Sequence, residues 1–284
     1  MFVGGCTLEA IEAVCRVDLD VLEGVASLIE KNLLRQEEGA GGEPRFRMLE
    51  TVHEYARERL EGSGEAAAIH RQHAAYYLAF AEEAERQLPG PTQVVWLDRV
   101  ETEHDNLRSA AWWLAEHEAV EQALWLAGGL WWFWEIPGRR SQGRDLLAAL
   151  LEAPGAAART AGRAKALLGV GLLATWGGDV VARALLEESL AIARALGDRQ
   201  GVAYALLGLG EHALEQVDTT AARAVLKESL AMFRAVGDQW GSAWAGASLG
   251  YAIWDHGEGD IVAARTLLEE SLAIRRALGP WQVT

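Results

Sequence analysis

Hydrophobic residues recur three or four positions apart over most of the chain, which is the spacing of one face of an α-helix. Between residues 202 and 237 one such stripe contains Leu206, Leu209 and Ala213, and a second runs from Val225 to Phe233. Asp218 and two threonines lie between the stripes and supply turn and N-cap chemistry, and Gly237 follows the second one. The pattern predicts two helices joined by a short turn.

One sequence motif, called the phrase here, occurs three times along residues 165–278. Its copies are Ala182–Ile192, Ala222–Met232 and Ala264–Ile274, and two of them are followed by Gly-Asp. The copies start 40 and then 42 residues apart, and a fixed period in this range is typical of stacked repeats. Because one helical hairpin cannot bury its apolar faces alone, we expect the hairpins to stack into a superhelix with a concave inner wall.

The phrase resembles the tetratricopeptide repeat. The resemblance rests on Leu209-Gly210, Asp218, Ala222, Leu226 and Ser229-Leu230. The chain departs from that family in its longer period and in lacking the usual closing proline. Longer repeats of this kind are similar to those in the sensor arms of bacterial STAND-class signal-transduction ATPases and of transcription regulators of the LuxR or SARP type.

Residues 1–61 have a different pattern. Thr7 and Asp20 are N-cap residues for two short helices, and residues 33–36 and 45–48 are expected to form two strands joined by a glycine-rich loop. A third helix is predicted from about Leu49. The phrases Phe2–Ala10, Leu28–Leu34 and above all Arg45–Leu60 resemble the winged-helix module that follows the nucleotide-binding core of STAND ATPases. The first helix of that module is missing, which suggests that the chain begins inside a longer protein.

A winged helix raises the alternative of a DNA-binding transcription regulator. Residues 1–61 carry seven Lys and Arg against thirteen Asp and Glu, and the expected recognition helix offers Glu23, Ser27, Glu30 and Lys31 on its polar side. A protein that recognises bases in a DNA groove needs several cationic side chains in contact with the phosphates. We therefore favour a module that packs between an ATPase core and a sensor and contacts no nucleic acid directly.

Residues 62–118 are interpreted as a helical connector. A long helix from Ala66 to Leu88 is broken at Pro89-Gly-Pro91. The stretches 93–100 and 103–108 also resemble the STAND pattern, and we interpret Glu103 to Asn106 as a solvated or buttressing helix face. A degenerate first repeat is expected over residues 123–151.

Composition narrows the function classes. The 284 residues carry 26 Lys and Arg against 41 Asp and Glu, a net charge of −15 that repels phosphate backbones. Tryptophan is over-represented, with twelve residues, and the two cysteines are typical of cytosolic thiols. Because the sequence has neither an apolar run of 18 residues nor a signal peptide, we expect a cytoplasmic protein without a membrane partner.

The search for chemistry finds no P-loop, no dinucleotide fingerprint and no readable nucleophile–base pair. His70 and His73 could share a metal, but two ligands make a weak signal. We expect no enzyme activity, no cofactor and no metal site, with a hydrolase as the least favoured alternative.

The first helix of each repeat is expected to line the concave wall. Reading the inward positions gives an aromatic and acidic set that would favour a cationic partner. The predicted ligand-binding residues are Trp125, Trp132, Glu135, Lys165, Trp176, Tyr204, Glu211, Glu215, Trp244, Tyr251, Trp254 and Asp255. The alternative is that these tryptophans fill seams of the core, as is expected of Trp112, Trp113, Trp131 and Trp134.

The sequence thus predicts an all-α fold, an α-solenoid of tetratricopeptide-like hairpins, with a small N-terminal winged-helix module carrying a short β-hairpin. The predicted domains are residues 1–61, 62–118 and 119–284. The predicted function is a sensor arm whose concave groove binds a peptide, protein or small-molecule effector and thereby controls the nucleotide-binding core of the parent protein. Trp132, Trp176, Trp244 and Trp254 are expected to form a discontinuous aromatic wall rather than one cluster.

Overall fold

The N-terminal module is a small winged helix. The computed structural model describes residues 1–15, 20–39, 42–136, 138–175, 181–255 and 260–279. The module contains β1 (Cys6–Thr7), α1 (Leu8–Val14), α2 (Val21–Glu30), β2 (Leu34–Glu38), β3 (Pro44–Met48) and α3 (Glu50–Ser63). The strands form an antiparallel sheet in the order β1-β3-β2, in which Phe46 pairs with both Cys6 and Gln36.

The predicted caps of this module are confirmed. The Thr7 hydroxyl accepts a hydrogen bond from the Ala10 amide at 3.2 Å, and the Asp20 carboxylate accepts from the Leu22 amide at 3.0 Å. The predicted hairpin is also present, but β1 adds a third strand that the sequence analysis did not expect. Strand β1 is only two residues long and pairs with β3. A strand this short has no alternation of apolar residues from which it could be predicted.

Two long antiparallel helices, α4 (Ala66–Gln87) and α5 (Gln93–Glu116), connect the module to the repeats. The buttressing role expected of residues 103–106 is met by Glu103 and Asn106, which are buried. Arg45 of β3 pairs with the Glu103 carboxylate, which also accepts a hydrogen bond from Tyr77 at 2.7 Å. Arg45 donates to the Gly5 carbonyl at 2.9 Å as well. One buried polar network therefore fastens the winged helix to the connector.

The remaining helices form the superhelix of hairpins. A degenerate hairpin contains α6 (Val120–Gly129), the single turn α7 (Trp131–Trp134) and α8 (Arg140–Leu151). Three regular hairpins follow, α9 (Ala161–Thr175) with α10 (Ala182–Leu196), α11 (Arg199–Glu215) with α12 (Thr219–Val236), and α13 (Gln239–Asp255) with α14 (Ile261–Leu278). Asp218 caps α12 through the Ala221 amide at 3.0 Å, and Gly237 ends that helix at φ 78°.

Among the first helices, α11 contacts both α9 and α13 and lies between them in the inner layer. Small residues make this close approach possible. A Cβ atom at Gly128 of α6 would lie 2.8 Å from the Ala166 amide nitrogen of α9. The repeated serine of the phrase adds a second link, since the Ser189 and Ser229 hydroxyls each donate at 2.8 Å to a carbonyl of their own first helix.

Burial of the tryptophans expected in helix seams is mixed. Trp131 and Trp134 are buried, Trp113 is half-buried and stacks on His117, and Trp112 is exposed. Trp112 was therefore assigned wrongly, because it lies on the outer side of α5. Among the described helices, none is long and apolar enough to cross a bilayer.

Candidate functional site

Four tryptophans meet on the inner side of the superhelix and form an aromatic cluster, defined here as Trp131, Trp132, Trp240 and Trp244. Trp131 and Trp132 stack at 4.6 Å between ring centroids, and Trp132 meets the edge of Trp240 at 4.0 Å. Trp244 lies 5.6 Å from Trp132 and 5.9 Å from Trp131. Side chains from the degenerate hairpin thus reach α13, three hairpins later.

This arrangement corrects the expected discontinuous wall. Trp132 and Trp244 belong to one buried cluster, with 6% and 9% of their surfaces exposed. The prediction treated the first helices as parallel neighbours and left out the curvature that brings α7 opposite α13. Side chains as large as indole then span the remaining gap, so the inner side is filled where an open wall was expected.

A buried carboxylate joins the cluster to α11. Glu211 has 6% of its surface exposed, accepts a hydrogen bond from the Ser248 hydroxyl and is hydrogen-bonded to Trp244. Burial raises the pKa of Glu211, while the bonds from Ser248 and Trp244 and the nearby Arg275 guanidinium oppose that shift. Glu211 is therefore a partnered carboxylate that fixes the orientation of the Trp244 ring.

The second carboxylate, Glu135, directly follows α7 and has 8% of its surface exposed. Its Oε1 atom accepts a hydrogen bond from Arg140 at 3.0 Å, but its Oε2 atom is buried and has no hydrogen-bond partner among the described residues. Burial raises the pKa of Glu135 to about 7, Arg140 opposes the shift, and the negative charge of Glu211 adds to it. A buried oxygen without a partner is costly, so a donor supplied by a ligand would be stabilised there.

Trp125 and Lys165 form a neighbouring pair. The Lys165 ammonium lies 3.4 Å from the centroid of the Trp125 ring and 2.7 Å from the Glu85 carboxylate, and Trp125 donates to Glu82 at 3.1 Å. These two residues are thus engaged with α4. They show that an amine held between an indole and a carboxylate is an arrangement this chain already makes.

The other predicted site residues are distributed between the edge of the cluster and the far end of the superhelix. Tyr204 meets the edge of Trp131 at 6.2 Å and donates to Asp238 at 2.9 Å. Glu215 is exposed at the end of α11. Tyr251, Trp254 and Asp255 are exposed at the end of α13, where Trp254 borders α14, so these three do not share the inner surface with Trp244. Trp176 lies outside the described residues.

Three residues of the site were missed by sequence reasoning. Trp131 was assigned to a helix seam, and Trp240 and Arg140 were not considered. The spacing of Trp240 and Trp244, four residues apart on α13, places both on one face and was the available signal.

The expected recognition helix of the winged helix has a mixed surface. Leu22, Glu23, Ala26 and Glu30 are exposed along α2. On the wing, Arg35 and Arg47 face each other in register and are exposed, whereas Arg45 is buried against Glu103. The exposed face of α2 is therefore apolar and acidic, and only two wing arginines are directed to solvent.

Comparison with protein families identifies two segments of the chain. Residues 1–61 match the winged helix-turn-helix domain, and residues 162–235 match the tetratricopeptide repeat. The chain thus contains a winged helix-turn-helix domain followed by tetratricopeptide repeats, as the sequence patterns predicted.

Similar proteins carry the name of transcription regulators. Proteins of Mycobacterium bovis and Mycobacterium tuberculosis, provisionally named HTH-type transcriptional regulators, are 36% identical over 223 residues. The match covers 74% of this chain and 25% of each relative, so the chain spans about a quarter of their length.

Two solved structures are similar to the chain to different extents. The crystal structure of BtubC from P. vanneervenii aligns with a TM-score of 0.52 at 17% identity and covers 76% of this chain and 94% of that chain. A STAND protein with a tetratricopeptide repeat sensor from Pyrococcus horikoshii aligns over 96% of this chain and 49% of that chain, at 14% identity and a TM-score of 0.41. The first likeness concerns the fold alone, and the second is too weak to add to it.

Proposed function

We propose that the chain is the sensor arm of a STAND-type transcription regulator, in which the inner side of the repeats binds an effector carrying a cationic group. The order of a winged helix-turn-helix domain before tetratricopeptide repeats, and the names of the mycobacterial relatives, support a regulator. The observation that carries the ligand class is Glu135 Oε2, a buried carboxylate oxygen without a hydrogen-bond partner among the described residues, in the residue that directly follows α7.

Organic cations complement the chemistry of both a carboxylate and an indole. A guanidinium or ammonium group donates hydrogen bonds to a carboxylate and is attracted to the face of an indole. Because the aromatic cluster closes the inner side, an effector would enter beside Glu135 and part the contact between α7 and α13. Binding would thereby change the curvature of the superhelix, and the buried Arg45–Glu103 network would transmit that change to the winged helix.

A calorimetric titration tests this proposal. The probe is benzylguanidinium, which combines a cation with an aromatic ring, and its control is benzylurea, a neutral molecule of similar shape. We expect binding of the first probe alone, weakened about tenfold or more by Glu135→Gln, since each factor of ten corresponds to about 1.4 kcal/mol.

The matched control is Glu54→Gln, which removes the same charge from an exposed position on α3. It should leave the affinity unchanged. Equal binding of the two probes, or an equal loss of affinity in both variants, would contradict a cation site at Glu135.

DNA binding through the winged helix is the second candidate, because residues 1–61 match a winged helix-turn-helix domain. A mobility-shift assay with mixed duplex DNA at low salt tests it. Tight binding that weakens steeply with salt and on Arg47→Ala would favour this candidate over the first.

A further inference from the structure

The outer surface of the superhelix carries a groove that the proposed function does not use. It encloses about 580 Å³ between α12 and α13 and is called the basic groove here. Its cations are Arg223, Lys227 and Arg234, and its apolar floor contains Leu230, Leu249 and Ile253. Spacings of four, three and four residues place Arg223, Lys227, Leu230 and Arg234 on one face of α12.

The basic groove arises from one departure within the repeated phrase. In the first copy Arg183 pairs with Glu187 at 2.8 Å, and in the third copy Arg265 pairs with Glu269 at 2.7 Å. Both are ion pairs between residues four apart on one helix. In the second copy the corresponding position holds Lys227, so Arg223 meets a like charge in place of its carboxylate.

The groove therefore carries charge that is not neutralised. Arg234 pairs with Glu270 of α14 at 2.8 Å, but Arg223 and Lys227 form no ion pair within the part of the chain that the structure describes. Two cations side by side on an exposed helix repel each other at a small cost in stability. This local excess of positive charge contrasts with the acidic character of the chain, whose net charge is −15.

We propose that the basic groove binds an acidic amphipathic helix of a partner protein. Apolar residues of that helix, spaced three and four apart, would lie on Leu230, Leu249 and Ile253, and its carboxylates would pair with Arg223 and Lys227. Charge complementarity of this kind selects the partner and its orientation. A nucleic acid fits less well, since the floor is apolar, one of the three cations is already paired, and the rest of the chain repels phosphates.

The test uses a labelled synthetic peptide of about 15 residues, with leucines at helical spacing and glutamates elsewhere, and measures its fluorescence anisotropy. The wild-type chain should bind one peptide, and added salt should weaken the binding. Lys227→Glu places in the second copy the residue that the other two copies already tolerate. We expect Lys227→Glu to lower the affinity for the peptide about tenfold or more, and Arg223→Gln to lower it as well.

Lys31→Glu is the control, because it makes the same change of charge at an exposed position beside α2. It should leave the affinity within about twofold of wild type, since exposed charges beyond a Debye length are screened. The proposal is overturned if the wild-type chain does not bind the peptide, or if the two reversals weaken binding equally. Duplex DNA that binds instead, and is lost on Lys227→Glu, would overturn the assignment to a peptide.

Discussion

At the scale of single residues, Glu135 links the stability of the fold to pH. Its folded-state pKa of about 7 lies above the ordinary value of 4.5. Between these values the folded chain holds a proton that the unfolded chain has released, so the stability that Glu135 contributes is fully present below pH 4.5 and is lost as pH rises through 7. Relative to Glu135→Gln, the wild-type chain should lose up to about 3 kcal/mol of unfolding free energy between pH 4 and pH 8.

Urea unfolding of both chains at a series of pH values checks this expectation. The comparison with Glu135→Gln removes the contributions of other titrating groups. A difference between the two chains that stays constant with pH would mean that the Glu135 carboxylate is more hydrated than its burial indicates.

Sequence reasoning at this scale identified the chemistry of the inner side more fully than its geometry. Trp132, Trp244, Glu135 and Glu211 were all predicted from inward positions of the aligned repeats; Trp132 and Trp244 meet in one cluster, Glu211 is hydrogen-bonded to Trp244, and the charge of Glu211 acts on Glu135. Their burial could not be predicted, because it depends on the curvature accumulated over several hairpins. Trp254 was also predicted to face inward, but the structure places it, exposed, at the end of α13.

At the scale of elements, the junction between the winged helix and the connector depends on the buried pair of Arg45 and Glu103. Arg45→Ala leaves the Glu103 carboxylate buried without its cation and should cost about 3–5 kcal/mol of unfolding free energy. Arg47→Ala, two residues along the same strand and exposed, should change it by less than about 0.5 kcal/mol. Thermal melts of the two variants make the comparison, and similar melting temperatures would contradict the assigned role.

Helix packing at Gly128 gives a second test at this scale. A Cβ atom there would meet the backbone of α9 at 2.8 Å, and backbone atoms cannot move aside as a flexible side chain can. Gly128→Ala should therefore destabilise the fold by about 1–3 kcal/mol despite the better helix propensity of alanine. Gly24→Ala in α2, where a Cβ atom meets nothing within 4 Å, should be neutral or stabilising in the same melts.

The elements themselves were largely predictable. The repeated phrase predicted the hairpins formed by α9 to α14, and Thr7, Asp20 and Asp218 marked helix starts through ordinary N-cap chemistry. Strand β1 and the Arg45–Glu103 pair were not predictable, because each depends on a partner about 40 or more residues away. Local patterns carry no information on such pairings.

At the scale of the whole molecule, the excess of acidic groups should affect stability. Repulsion among them favours the unfolded chain, and screening by salt reduces it. We therefore expect the melting temperature to rise slightly as NaCl is added from low to moderate concentration. A steady fall would mean that the surface ion pairs between successive outer helices, such as Arg194 with Glu228, contribute more than the net charge.

Binding of a cation at the Glu135 carboxylate on the inner side is tested most directly by the release of a proton. Titrating benzylguanidinium at pH 7 in two buffers with different ionisation enthalpies gives the number of protons exchanged. With a pKa of about 7, Glu135 is roughly half protonated before binding, and a cation requires the charged form. We expect release of about half a proton per bound probe in the wild-type chain and none in Glu135→Gln. Binding without proton release in the wild-type chain would contradict it.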